Sequence, residues 1–189
     1  MRVLSIDFET ANQASESACS IGFCLWDNGE IVKSDEILIK PHRRYSYFNY
    51  FNIQIHGITP SMVKDADDWP IVYGQIAHMF KDSVVIAHNA RFDIAVLRSL
   101  NRLYGIEMDD FIFLDTVTIS RIMHPFLPNH KLNTVCEYLN VDLNHHHAGS
   151  DAMGCLAILM DTMDAYGEYD IEKLMELLHY HGSHYNVFH

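Results

Sequence analysis

Three strand-length apolar segments open the chain, and everything after them alternates between the helical and the strand period. Residues 2–8 alternate and are apolar-rich, and residues 18–26 (ACSIGFCLW) and 31–39 (IVKSDEILI) read as two further strands. The turn between the last two, Asp27-Asn28-Gly29-Glu30, has the Asn-Gly hairpin signature. The character then changes. Asp67 and Asp68 ahead of Trp69-Pro70 give an N-cap and early-proline start for a helix running to about Phe80. Residues 83–87 (SVVIA) form a short strand, and residues 91–103 carry Phe92, Ala95, Val96, Leu100 and Leu103 on one helical face. Residues 111–115 (FIFLD) read as a buried strand. Leu132, Val135, Cys136 and Leu139 mark a short helix, Ala152 to Met163 a longer one, and residues 170–181 a last one. Strands first, then alternating helices and strands, predict an α/β layer fold with a mixed sheet. Residues 42–56 (HRRYSYFNYFNIQIH) fit neither period and read as a long loop.

The chain has 189 residues, enough for one domain with a sizeable core. No stretch approaches the roughly 18–20 uninterrupted apolar residues of a membrane span. The opening MRVLSIDFET reaches a carboxylate at Asp7, unlike the apolar core of a secretory signal, so the expected location is the cytoplasm, away from membranes. Cys19, Cys24, Cys136 and Cys155 sit apart in apolar settings and read as buried small hydrophobes. The net charge of −12 argues against tight, extended duplex binding by bulk electrostatics. It does not argue against nucleic-acid chemistry, because bound divalent cations concentrate positive charge at one place.

Three groups of residues carry chemistry. Asp7 and Glu9 lie two apart on the first strand, so both point to one face. Such a pair is either a solvated strand end or a neutralised site; the apolar Ile6 and Phe8 around it favour a metal. His88-Asn89-Ala90-Arg91-Phe92-Asp93 follows the strand 83–87 and opens a helix, with Asp93 in its first turn, where a carboxylate could simply face the helix dipole. His145-His146-His147-Ala148-Gly149-Ser150-Asp151 brings a fourth carboxylate to another helix start. A structural zinc site would need four closed ligands, usually with cysteine, and no cysteine is near.

Taken together, DFET (7–10), HNARFD (88–93) and HHAGSDA (146–152) resemble the three motifs of the DEDDh (DnaQ-like) 3′–5′ exonuclease superfamily. This is the group of the bacterial DNA polymerase III proofreading subunit, the exonuclease domains of other polymerases, and ribonuclease T. Ile55-His56-Gly57-Ile58-Thr59 resembles the segment between the first two motifs. Leu114-Asp115-Thr116, Arg121 and Asn129-His130-Lys131-Leu132 resemble the stretch before the third. The likeness covers about residues 2–163. It implies a ribonuclease H-like fold with a five-stranded mixed sheet flanked by helices. Residues 1–165 would be the exonuclease domain and 166–189 a C-terminal helical extension of the same domain.

The resemblance also implies a chemistry: two divalent ions, Mg²⁺ or Mn²⁺, bound by Asp7, Glu9, Asp93 and Asp151. Asp7 would bridge both ions, Glu9 and Asp151 would help hold the nucleophile-side ion, and Asp93 would act on the other. The third motif places a histidine five residues before its aspartate, His146, with no tyrosine at the next position; His146 is the expected general base, with His147 as the alternative register. Thr10, His56, His88, Asn89 and Phe92 are the candidate contacts to the 3′-terminal nucleotide. Plainer readings stand beside two of them: Phe92 as core on helical period, and Asn89 as a helix cap. The expected substrates are single-stranded DNA or RNA 3′ ends, with DNA favoured, releasing nucleoside 5′-monophosphates. A proofreading role, in repair of newly made DNA, would need a DNA polymerase in trans. A non-catalytic binding module on the same fold would predict a missing metal carboxylate, and none is missing. The loop 42–51, with Arg43, Arg44 and five aromatic residues, could guide a strand, pack on the sheet or meet a partner.

Overall fold

The computed structural model describes residues 1–143 and 148–186. Fourteen regular elements run in the order β1 (Arg2–Thr10), β2 (Ala18–Asp27), β3 (Glu30–Leu38), α1 (Tyr50–His56), α2 (Pro60–Val63), α3 (Trp69–Phe80), β4 (Ser83–Ala87), α4 (Ala90–Tyr104), β5 (Ile112–Asp115), α5 (Thr116–Met123), α6 (Leu132–Tyr138), α7 (Ala148–Tyr166), α8 (Ile171–Leu177) and β6 (Ser183–His184), with a 3₁₀ turn at Ser15–Ser17. The strands make one mixed sheet in the order β3-β2-β1-β4-β5-β6. The meander β1-β2-β3 is antiparallel, β1, β4 and β5 are parallel, and β6 returns antiparallel to β5.

Strand β1 lies inside the sheet and is buried on both faces. Leu4, Ile6 and Phe8 face a core shared with α3 and α4, including Trp69, Val72, Ile76, Ile94 and Leu97. Val3 faces the second core, built with Ile86 and Leu114 from Cys155, Leu156 and Leu159 of α7. Asp7 and Glu9 continue the second face, so α7 covers the strand only as far as the carboxylates. Ile171, Leu174, Met175 and Leu178 pack into this core too, so the segment after α7 is joined to the sheet by burial.

The fold is the α/β sheet expected, with three differences. The sheet has six strands rather than five, because Ser183 and His184 pair with Phe113 and Ile112. This short strand is fastened by polar contacts: His184 Nδ1 lies 2.7 Å from Asp110 Oδ2, and the Asn186 amide donates to Asp110 Oδ1 at 2.8 Å. Residues 50–56, expected within a loop, are helical: the Asn49 side chain caps α1, and Gly57, at φ 74°, ends it. Residues 116–123 are also helical, started by the Asp115 side chain, which accepts from the Val117 amide at 2.9 Å.

Candidate active site

The site is built on the C-terminal half of β1. Strand β4 pairs with β1 only as far as Ser5 and Ile86. Beyond that point the edge of β1 is open, and its Phe8 amide donates instead to Asp93 Oδ1 at 2.8 Å. Asp93 comes from the first turn of α4 and is 1% exposed. It therefore ties the helix to the strand while its carboxylate lies beside the Asp7 charge.

Asp7 and Glu9 meet Asp151 from the first turn of α7. One ligand atom from each of these three half-buried carboxylates lies within 4.8 Å of the others. Asp93 belongs to the same acidic group without joining that three-atom cluster.

A residue that sequence reasoning passed over makes this approach possible. Gly22 of β2 pairs directly with Asp7. A Cβ there would lie 1.8 Å from the Ala148 carbonyl carbon and 2.2 Å from the Gly149 nitrogen. The backbone at the start of α7 thus rests on bare strand, and only glycine allows it. The signal was legible in principle, since a glycine inside a strand often marks close approach of another backbone.

Like charges in a partly dry setting resist ionisation. Burial first, then Asp93, Glu9 and Asp151, push the Asp7 carboxyl well above the usual carboxylate range. Burial, then Asp151 and Glu36, raise Glu9 to about 7. Burial raises Asp93 to about 8, although the Phe8 amide opposes it. Glu36 of β3 is a further acidic neighbour, and it accepts from the Ser20 hydroxyl at 2.6 Å. Among the described residues no lysine, arginine or histidine pairs with Asp7, Glu9 or Asp93. A group of hard oxygen donors that repel one another suits divalent cations such as Mg²⁺ or Mn²⁺.

The remaining candidates have distinct settings. His146, with His147, lies outside the described residues. Thr10 is buried at the end of β1; its carbonyl accepts from Asn52 Nδ2 at 2.8 Å and from His56 Nε2 at 3.2 Å. Because His56 Nδ1 accepts from the Ile58 amide at 3.0 Å, its proton is on Nε2 and the ring braces α1 against β1. His88 is also engaged at both nitrogens. Nε2 donates to the His130 carbonyl at 2.8 Å, and Nδ1 lies 2.9 Å from the Thr116 hydroxyl. Burial holds this ring below the ordinary histidine range. Asn89 is exposed in a left-handed conformation at φ 65°, its side chain makes no cap bond, and its amide donates to Asp115 Oδ1 at 2.9 Å. Phe92 is 43% exposed, outside the core. Asn89 thus holds the N-cap position of α4 without a side-chain bond, while the reading of Phe92 as core gives way: the buried face of α4 runs through Asp93, Ile94, Val96, Leu97 and Leu100, leaving Phe92 and Ala95 outside it. All four cysteines are free and buried.

A family model described as exonuclease (RNase T) matches residues 4–159. The chain belongs to this family. It is a DnaQ-like 3′–5′ exonuclease domain, as the three motifs implied. Its sequence is 30% identical over 176 residues to the PolC-type DNA polymerase III of Caldanaerobacter subterraneus subsp. tengcongensis, covering 93% of this chain and 12% of that protein. The chain spans about a tenth of the length of the curated relatives it matches. Two solved structures share the fold. Exonuclease X in complex with 5′ overhanging duplex DNA superposes with a TM-score of 0.70 at 23% identity, over 94% of this exonuclease domain and 98% of that chain. The nuclease domain of 3′hExo, a DEDDh family member bound to rAMP, gives 0.70 at 18% identity over 88% and 92%. No helix among the described residues of this exonuclease domain is long and apolar enough to cross a membrane.

Proposed function

We propose that this domain hydrolyses single-stranded nucleic acid from its 3′ end, DNA in preference to RNA, releasing nucleoside 5′-monophosphates with the aid of two divalent ions. The observation that carries this reading is the convergence of Asp7, Glu9 and Asp151 within 4.8 Å, with Asp93 bonded to the same strand. When bound, Mg²⁺ or Mn²⁺ would supply Lewis acidity to the scissile phosphate and the attacking water.

The chain's own residues divide the remaining work. Asp7, Glu9, Asp93 and Asp151 would hold the ions, Asp7 as the central ligand, Glu9 and Asp151 toward the attacking water and Asp93 on the opposite side. His146 takes the proton from the attacking water. The water oxygen bonds to the phosphorus, the bond from phosphorus to the 3′ oxygen of the preceding nucleotide breaks, and that oxygen takes a proton from solvent and leaves as a hydroxyl. Thr10, Asn89 and Phe92 contact the terminal nucleotide, and His56 and His88 hold the walls around it. We read residues 1–165 and the 166–189 extension as one domain, since α8 shares the α7 core.

The likeness to PolC-type polymerases favours a second, compatible reading, proofreading beside a DNA polymerase in the cytoplasm. The decisive assay uses 5′-labelled single-stranded DNA and RNA with Mg²⁺, Mn²⁺ or EDTA. The expected result is a ladder shortening from the 3′ end that EDTA abolishes, with DNA cleaved faster. Intact strands of both kinds with a folded, Mn²⁺-binding protein would contradict independent activity and leave the polymerase-dependent reading. Cleavage from the 5′ end or internally would contradict both.

A further inference from the structure

The chain's charge is distributed unevenly around this site. Residues 40–64 contain four of its 13 lysines and arginines, namely Lys40, Arg43, Arg44 and Lys64, and none of its 25 acidic residues. The same stretch presents three of the most exposed aromatic side chains: Tyr47 at 73%, Tyr50 at 66% and Phe51 at 74%. Tyr50 and Phe51 meet edge-on, 6.0 Å between ring centres. Lys64 has one acidic neighbour, the exposed Asp65 at 3.5 Å. A cavity of about 270 Å³ opens beside the segment, with Lys40, Arg43 and Lys64 around an apolar lining of Phe48, Pro60 and Val63.

This cationic, aromatic surface is fastened to the strand that carries the carboxylates. The Asn12 side chain donates to the carbonyls of Tyr45 at 2.9 Å and Tyr47 at 2.6 Å. The Asn49 amide donates to the Ala11 carbonyl at 2.8 Å. Asn52 and His56 bind the Thr10 carbonyl, one residue past Glu9. Phe51 occupies the next row around α1 from Asn52 and His56, on the flank away from the partly buried Ile53. Three successive residues, Thr10 to Asn12, thus set the platform relative to the acidic cluster.

We infer that residues 40–64 carry the part of a single strand lying 5′ to the nucleotide being removed. Its bases stack on Tyr47, Tyr50 and Phe51, and its phosphates meet Arg43 and Arg44. Aromatic faces accept any base, and arginine neutralises phosphate without reading sequence, so the track tolerates every sequence. The inference rests on the exonuclease reading above for what happens at the strand's end. The binding itself can be measured separately. In a chain of net charge −12, an acid-free segment is also where a polyanion is least repelled.

The test is fluorescence anisotropy of a 5′-labelled 20-residue oligothymidine in EDTA, which prevents turnover, repeated over a range of salt. It compares wild type with Arg43→Ala/Arg44→Ala and with Tyr50→Ala/Phe51→Ala. All four side chains are exposed, so the melting temperatures should match. Each double variant is expected to weaken binding by about tenfold or more, as loss of one or two stacked bases or phosphates requires. The arginine variant alone should flatten the salt dependence, lowering the slope of log affinity against log salt by about 1.4 for two phosphates on a single strand. Hydrolysis of the p-nitrophenyl ester of thymidine 5′-monophosphate, too small to reach the track, should be unchanged. Wild-type affinity and slope in both variants would overturn the inference. So would a wild type that does not hold the strand, or that holds an acidic peptide more tightly. Strand binding that depends on these residues, with neither substrate hydrolysed, would sustain the track and sink the exonuclease reading.

Discussion

Replacing Glu9 with glutamine should stabilise the metal-free protein at pH 8. Burial and the charges of Asp151 and Glu36 raise the Glu9 carboxyl from 4.5 to about 7. Between those values the folded chain holds a proton that the unfolded chain has released. Stability therefore falls as pH rises through this window, and the loss is complete above about pH 7. A carboxyl moved that far and fully ionised would cost about 3 kcal/mol. Water reaches the half-buried side chain and its neighbours share the titration, so about 1–2 kcal/mol is the working figure. Glutamine keeps the shape and removes the charge. At about 2–4 °C per kcal/mol for a chain of this size, Glu9→Gln should melt about 2–8 °C above wild type in EDTA at pH 8. Near pH 4 the two should coincide. Saturating Mn²⁺ should reverse the order, since a ligand at about 100 times its Kd adds about 2.7 kcal/mol to the protein that binds it. Thermal denaturation at both pH values, with and without metal, supplies the test. A Glu9→Gln variant that melts below wild type in EDTA at pH 8 would refute the argument that these carboxylates are held together against their own repulsion.

Other substitutions probe how the site is held. Gly22→Ala must displace the first turn of α7, because the new methyl group would meet Ala148 at 1.8 Å. Activity should fall at least about a hundredfold while circular dichroism stays near wild type, with about 1–3 kcal/mol lost to overpacking in a melting curve. Asp93→Asn keeps an oxygen for the Phe8 amide, so it should fold well but lose nearly all activity. Asp93→Ala leaves that buried amide unpaired and should also lose about 1–3 kcal/mol in denaturant titration. His146→Ala should reduce kcat about 10²–10⁴-fold with little effect on melting, and His147→Ala much less; the opposite ranking in steady-state kinetics would move the base to His147.

Much of the fold was legible because burial and sequence period agree. Ile6 and Phe8 alternate with Asp7 and Glu9 along a strand whose two faces do different jobs. The Asn28-Gly29 turn has positive φ at both residues, as a tight hairpin requires. Where period and burial part company, the reading failed. Helix α1 leaves Tyr50, Phe51 and Ile55 in solvent, so its apolar residues trace no buried stripe, and its order comes from the Asn49 cap and the bonds to Thr10. Residues 116–123 carry no assignment in the sequence reading, since Thr116, Val117, Thr118 and Ile119 are β-branched and favour no helix. The Asp115 cap turns them into a helix. Strand β6 is two residues long and depends on Asp110, which lies far from it in sequence. Asp7 and Glu9 stood out because acidic residues among buried neighbours are costly, whereas Asp93 and Asp151 stood out only through the resemblance of their motifs. Gly22 did not, because its importance lies in an atom it lacks and in a helix that starts at residue 148.

The most direct test of the metal centre is calorimetric titration of Mn²⁺ into the wild-type protein and Asp7→Asn at pH 8, without nucleic acid. The account predicts saturable binding in wild type, with protons released as ions displace them from Asp93, whose carboxyl burial raises to about 8, and loss of that binding in a variant that stays folded. Equal Mn²⁺ isotherms for the two proteins, or none for wild type, would contradict the claim that Asp7, Glu9 and Asp151 form a metal site.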